Sequence, residues 1–74
     1  MTASRALTGR QLLAALSRLG FRALRVRGSH HYLRHDDGRC TVVPVHSGET
    51  IGRGLLAKIL RDAEVKWNEI EELR

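Results

Sequence analysis

The stretch Phe21-Arg22-Ala23-Leu24-Arg25-Val26-Arg27-Gly28-Ser29-His30-His31-Tyr32-Leu33-Arg34-His35-Asp36-Asp37-Gly38 decides the fold. Leu24 and Val26 alternate with Arg25 and Arg27, the period of a half-buried strand. Gly28-Ser29 is a turn. Residues 30–35 contain no helix cap or apolar stripe, Tyr32 and Leu33 suit a strand, and Asp36-Asp37-Gly38 is a second tight-turn signal. Residues 40–45 form a third β-rich run, in which Pro44 lacks a backbone donor, so that end lies on an edge or leaves the sheet. Turns this short between three strands predict an antiparallel meander.

Helices flank the meander. Before it, Thr8-Gly9-Arg10-Gln11 has the form of a capping box, followed by Leu12, Leu13, Leu16 and Leu19 at helical spacing and by Gly20 where a left-handed cap belongs. After it, residues 46–54 contain three glycines and read as a loop, and Leu56, Ile59, Leu60 and Ala63 recur on one face of a second helix. Trp67, Ile70 and Leu73 stand three apart among acids, which predicts a short third helix within 65–74. The fold class expected is α+β: a small two-layer α-β-β-β-α domain over residues 1–63, with both helices on one face of the sheet. Residues 64–74 follow as an acidic tail or short helix packed on the same domain.

At 74 residues the chain has room for one core and none for an interdomain cleft. A lone cysteine, Cys40, excludes an internal disulfide and a cysteine-rich zinc module, and suits a reducing compartment. The first ten residues lack an apolar block of signal-peptide length, so a cytoplasmic location without membrane contact is expected. Thirteen Lys and Arg face eight Asp and Glu, and the charge is unevenly spread: residues 1–60 carry net +7 and residues 61–74 net −2. Eleven of the cations are arginine, whose planar fork pairs bidentately with phosphate. A polyanion is therefore the expected partner, with nucleic acid foremost.

Three of the four histidines lie in residues 30–35. Strand alternation puts His30, Tyr32 and Arg34 on one face and His31, Leu33 and His35 on the other, and Leu33 marks the second as the face beneath the helices. His30 is thus expected on the open face, near the cations of the first strand. An imidazole exchanges protons near neutral pH, so His30 can serve as a general base toward a ribose 2′-OH, with arginine stabilising the phosphoryl charge. The leaving oxygen would take its proton from water or from His31. The competing reading, a metal site, fails on distance: His31 and His35 stand about 13 Å apart along a strand. Neither metal nor cofactor is expected. Gly52-Arg53-Gly54, with Lys58, can offer backbone N–H groups and charge to a phosphate.

These residues resemble the HicA toxins of prokaryotic HicAB toxin–antitoxin modules, which are small mRNA interferases. The resemblance runs from about residue 7 to residue 63. It is carried by Gly9-Arg10-Gln11-Leu12-Leu13 with Leu19-Gly20-Phe21, by Gly28-Ser29-His30-His31 with His35, and by Val43-Pro44-Val45-His46 with Gly54-Leu55-Leu56 and Ile59-Leu60. It implies a fold similar to double-stranded-RNA-binding domains and metal-independent cleavage of mRNA. It also implies a catalytic role for His30, a need for Gly28, and a HicB-type antitoxin covering the active face. The RNA contacts expected alongside are Gly28, Ser29, Arg25, Arg27, Arg34, Arg53 and Lys58. Two departures stand out: Asp36 occupies a position where proline is usual, and Ala63-Glu64-Val65 replaces an alanine-glycine-leucine helix stop. The alternative reading is a non-catalytic module that binds double-stranded RNA by shape.

Overall fold

A computed structural model describes residues 6–73; residues 1–5 and 74, which belong to the two expected segments 1–63 and 64–74, lie outside the described residues. The order is α1 (Gly9–Arg18), β1 (Phe21–Arg27), β2 (His30–His35), β3 (Cys40–Pro44), α2 (Arg53–Ala63) and α3 (Trp67–Leu73). The strands form an antiparallel sheet in the order β1-β2-β3, as the short turns require. The class is α+β, as expected.

Local chemistry places each helix. The Thr8 hydroxyl accepts the Gln11 N–H at 3.1 Å while the Gln11 carboxamide accepts the Thr8 N–H at 2.9 Å, closing the capping box. Such a cap is worth about 1 kcal/mol. Gly20, with φ of 98°, makes the left-handed step out of α1. Leu12, Ala15 and Leu16 of α1 and Leu56, Ile59, Leu60 and Ala63 of α2 are buried with Phe21, Leu33 and Val43 of the sheet. Each large apolar side chain removed from water in this way contributes about 1.5–3 kcal/mol. The loop before α2 ends two residues earlier than its glycines suggest: Gly52 is the N-cap, and Arg53 and Gly54 are already helical. α3 lies against α1 through the fully buried Ile70, so the acidic tail folds back on the body.

Three close arrangements tie the elements together. Gly9 stands against the end of β3, where a Cβ would run into the Pro44 carbonyl and lie 2.9 Å from Val45 Cα. Only glycine lets α1 start so near the sheet. Arg39, in the β2–β3 connection, bonds Asp37 Oδ2 through Nε at 2.8 Å, the Ala63 carbonyl through Nη1 at 2.8 Å, and rests its guanidinium 5.1 Å from the Phe21 ring centre. One side chain thereby joins a turn, the end of α2 and the start of β1. His35 is also structural: Nε2 is 3.1 Å from the Leu19 carbonyl, Nδ1 accepts the Asp37 N–H at 3.1 Å, and the ring meets Phe21 edge to face.

The end of α2 shows how the helix stops without the glycine that the resemblance leads one to expect there. Glu64 N–H bonds to Arg61 O and Val65 N–H to Leu60 O, the paired bonds of a Schellman stop, and Glu64 takes the left-handed conformation at φ 55°, ψ 44°. Val65 is buried beyond it. A side chain in that conformation is strained by about 1–2 kcal/mol.

Three outcomes follow for stability. Glu64→Gly is expected to raise the melting temperature by several degrees, since about 1 kcal/mol moves a domain of this size by about 4–8 °C, whereas Gly9→Ala is expected to lower stability by about 1–3 kcal/mol through overpacking; thermal melts of the two variants beside the parent check both. The third outcome concerns acid. The Arg39 side chain, then its backbone N–H, hold the Asp37 carboxyl below its ordinary value of 3.8. A depressed carboxylate pKa stabilises the fold above the unfolded value and loses that contribution as pH falls through the folded one. Asp37→Asn should therefore be less stable than the parent at neutral pH, with the gap closing below pH 3.8 in urea titrations.

Candidate nucleic-acid interface and active site

The site is built on the sheet face turned away from the helices, and a bulge in β1 sets which residues it carries. Phe21, Arg22 and Ala23 pair with His35, Arg34 and Leu33; the register then slips between Ala23 and Arg25, and Arg25, Val26 and Arg27 pair with Tyr32, His31 and His30. Leu24 is the extra residue. Without the slip, strict alternation from the buried Phe21 would turn Arg25 and Arg27 to the helix side. With it, Leu24 and Arg25 both stand opposite Tyr32. The expectation that Leu24 shares a half-buried face with Val26 is corrected here: Leu24 is 61% exposed and joins the open face, and Val26 keeps the helix side but is 52% exposed at the sheet's end.

Cross-strand neighbours share a face, so the open face reads as three rows. Arg27, His30 and Pro44 form the first; Arg25, Tyr32 and Val42 the second; Arg22, Arg34 and Cys40 the third. Down the strands, β1 is a column of arginines with Leu24 among them, β3 is a column of apolar side chains and a thiol, and β2 holds an imidazole, a phenol and a guanidinium between them. His30 is exposed, on the face expected for it. His31 pairs with Val26 and Val43 on the opposite face, which removes it as a proton donor beside His30.

The charges of this face are largely unspent. Arg22 pairs with Asp36 at 2.7 Å, but among the described residues no carboxylate pairs with Arg25, Arg27 or Arg34. The Arg25 guanidinium lies 4.7 Å from the centre of the Tyr32 ring. Across the face, from Leu24 and Arg25 of β1 past His30, Tyr32, Val42 and Pro44 to Leu55 and Lys58 of α2, runs a groove of about 650 Å³, deepest beside β3 and α2. Lys58 reaches Asp62 at 2.8 Å on the same flank. Arg53, in the first turn of α2, is not part of that lining.

Gly28 and Ser29 form the two-residue connection just before His30. Gly28 has φ of 58° and nothing within 4 Å of a hypothetical Cβ, and Ser29 does not share the positive φ, the pattern of a type II′ hairpin turn. The positive φ by itself accounts for the glycine. The Ser29 carbonyl accepts the Val45 N–H at 2.7 Å, pinning the turn to the end of β3. Among the described residues no three His, Cys, Asp or Glu side chains converge to hold a metal ion, and no helix is long and apolar enough to cross a membrane.

Sequence reasoning missed the groove. Its apolar members read as ordinary strand and helix residues, and the one available signal was Leu55, a large side chain just outside the buried set of α2. No curated protein sequence matches the chain significantly. The family described as the HicA toxin of bacterial toxin–antitoxin systems matches residues 9–65, a span that takes in α1, the whole sheet and α2. The chain with the glycine-serine-histidine turn and the arginine-lined open face thus belongs to the HicA toxin family.

Proposed function

We propose that this chain is the toxin of a type II toxin–antitoxin module, an mRNA interferase in which His30 is the general base. Family membership implies a ribonuclease toxin restrained by a HicB-type antitoxin. The observation that carries the residue assignment is the position of His30, exposed between Arg27 and Pro44 and beside unpaired arginines. Arg25, Arg27 and Arg34 hold phosphate, Gly28 and Ser29 shape the approach, and Lys58 and Arg53 extend the positive field toward α2. The RNA-handling unit is the body over residues 1–63, with 64–74 as its acidic tail.

The chemistry is transesterification. The His30 imidazole takes the proton of a ribose 2′-OH, the 2′-oxygen bonds to the adjacent phosphorus, and the bond from phosphorus to the 5′-oxygen breaks. Arginine stabilises the charge that gathers on the phosphoryl oxygens. The leaving 5′-oxygen takes a proton from water, and the hydroxide left behind recovers the proton held on His30. Products carry a 2′,3′-cyclic phosphate and a 5′-hydroxyl. None of these steps requires a metal or an organic cofactor, and DNA, lacking the 2′-oxygen, is inert.

The test is incubation of the parent and His30→Ala with end-labelled RNA and DNA in excess chelator. Loss of a positioned base lowers rates by about 10²–10⁴-fold, so His30→Ala is expected to cut RNA at least a hundredfold more slowly, with cyclic-phosphate ends from the parent alone. Equal cleavage by both proteins, or salt-sensitive RNA binding without scission, would replace this reading with the binding module.

A further inference from the structure

We infer that the groove beside β3 is a base subsite, which holds, unstacked, the nucleobase of the nucleotide whose 2′-oxygen attacks. This rests on the ribonuclease reading and adds to it the state of the RNA and the residues that select it.

Three features of the open face lead there. The first is its gradient across the strands, with Arg22, Arg25 and Arg27 on β1, where Leu24 is the one apolar member, and apolar side chains with a thiol on β3. Neighbouring strands are about 4.8 Å apart, so the two columns lie about 10 Å apart. A single nucleotide has the same division, an anionic phosphate at one end and a flat, weakly polar base at the other. Laid across the sheet, its phosphate meets Arg25 and Arg27 and its base enters the groove. His30 lies on the dividing line, where the ribose falls.

The second is the surface on offer. Leu24 and Leu55 are large apolar side chains, 61% and 40% exposed, that the core does not use, and both line the groove. Tyr32, with the Arg25 guanidinium 4.7 Å from its ring centre, adds planar groups on which a base can stack. The volume of about 650 Å³ falls within the range of sites for small organic ligands, about 300–1,000 Å³.

The third is the demand of the reaction. Attack by the 2′-oxygen requires it to lie opposite the leaving 5′-oxygen across phosphorus, and a regularly stacked helix holds it to one side. The attacking nucleotide must rotate out of its stack. A base that has lost its neighbours is stabilised by an apolar, aromatic surface next to the general base, and that is where the groove lies. Bases paired in a duplex cannot enter it, so duplex RNA is expected to be protected.

The experiment uses the full chain and a short RNA containing one mapped cleavage site, made intact and with an abasic residue at the nucleotide 5′ to the scissile phosphate. Leu55→Ser and Leu24→Ser alter exposed side chains, and melting curves confirm that both fold. The abasic change is expected to lower kcat/KM at least tenfold, and Leu55→Ser to lower cleavage of intact RNA by a similar factor while costing little on abasic RNA. Equal losses from Leu55→Ser on both RNAs would overturn the subsite. So would RNA cleavage at the parent rate with loss of antitoxin capture, which would assign the groove to the protein partner. A parallel binding arm separates this inference from the ribonuclease reading: the same RNA with 2-aminopurine at the attacking nucleotide is titrated with the parent and with His30→Ala. A fluorescence change that Leu55→Ser abolishes supports the subsite even if no protein cleaves, and an unchanged signal on binding overturns it.

Discussion

The phase of β1 is the constraint on which the site depends. A strand turns alternate residues to opposite faces, and Phe21 must face the helices because its ring packs in the core against His35 and beneath Arg39. Carried on without interruption, that alternation would turn Arg25 and Arg27 to the helix side. The bulge at Leu24 inserts one residue and reverses the phase, so the same strand anchors the core at its start and presents cations at its end. Without the slip, Arg25 and Arg27 would point away from the face that carries His30 and Tyr32, so the arginine row beside them exists only because of one irregular step in the ladder.

The remainder of the fold holds that strand and its neighbour in place. Gly9 lets α1 begin against the end of β3, while Arg39 bridges the β2–β3 turn to the close of α2. Gly9 meets the backbone of Pro44, a member of the candidate active face, from behind, and Arg39 acts from the core side. Both act on it by keeping β2 fixed between its neighbours, so that His30 stands in line with Arg27 and Pro44 rather than on a mobile loop. An imidazole on a central strand is positioned by two ladders of backbone hydrogen bonds, which suits the role proposed for His30 in a reaction sensitive to geometry.

The layout of cation, imidazole and apolar groove across three strands also bears on restraint by an antitoxin. A partner that covers this face meets exposed arginines and exposed leucines together, so acidic and apolar groups in combination would complement it. The protein's own acidic segment is not used that way: Ile70 is buried as α3 packs on α1.

Much of this architecture was legible in the residues themselves. The capping box at Thr8, the apolar faces of both main helices, the two turns and the placement of His30 opposite Leu33 all rest on local periodicity and turn chemistry, which act over a few residues and are written directly in the chain. What only the tertiary structure decided are the features set by long-range contact. The slip at Leu24 depends on what Phe21 and Arg25 meet across the sheet. The second helical start at Gly52 and the left-handed Glu64 depend on how α2 docks and on the carbonyl that Arg39 satisfies. The groove exists only where the flank of α2 meets β3, residues far apart in sequence. Local rules name which side chains prefer water and which prefer a core, and packing alone determines which of the exposed ones become neighbours.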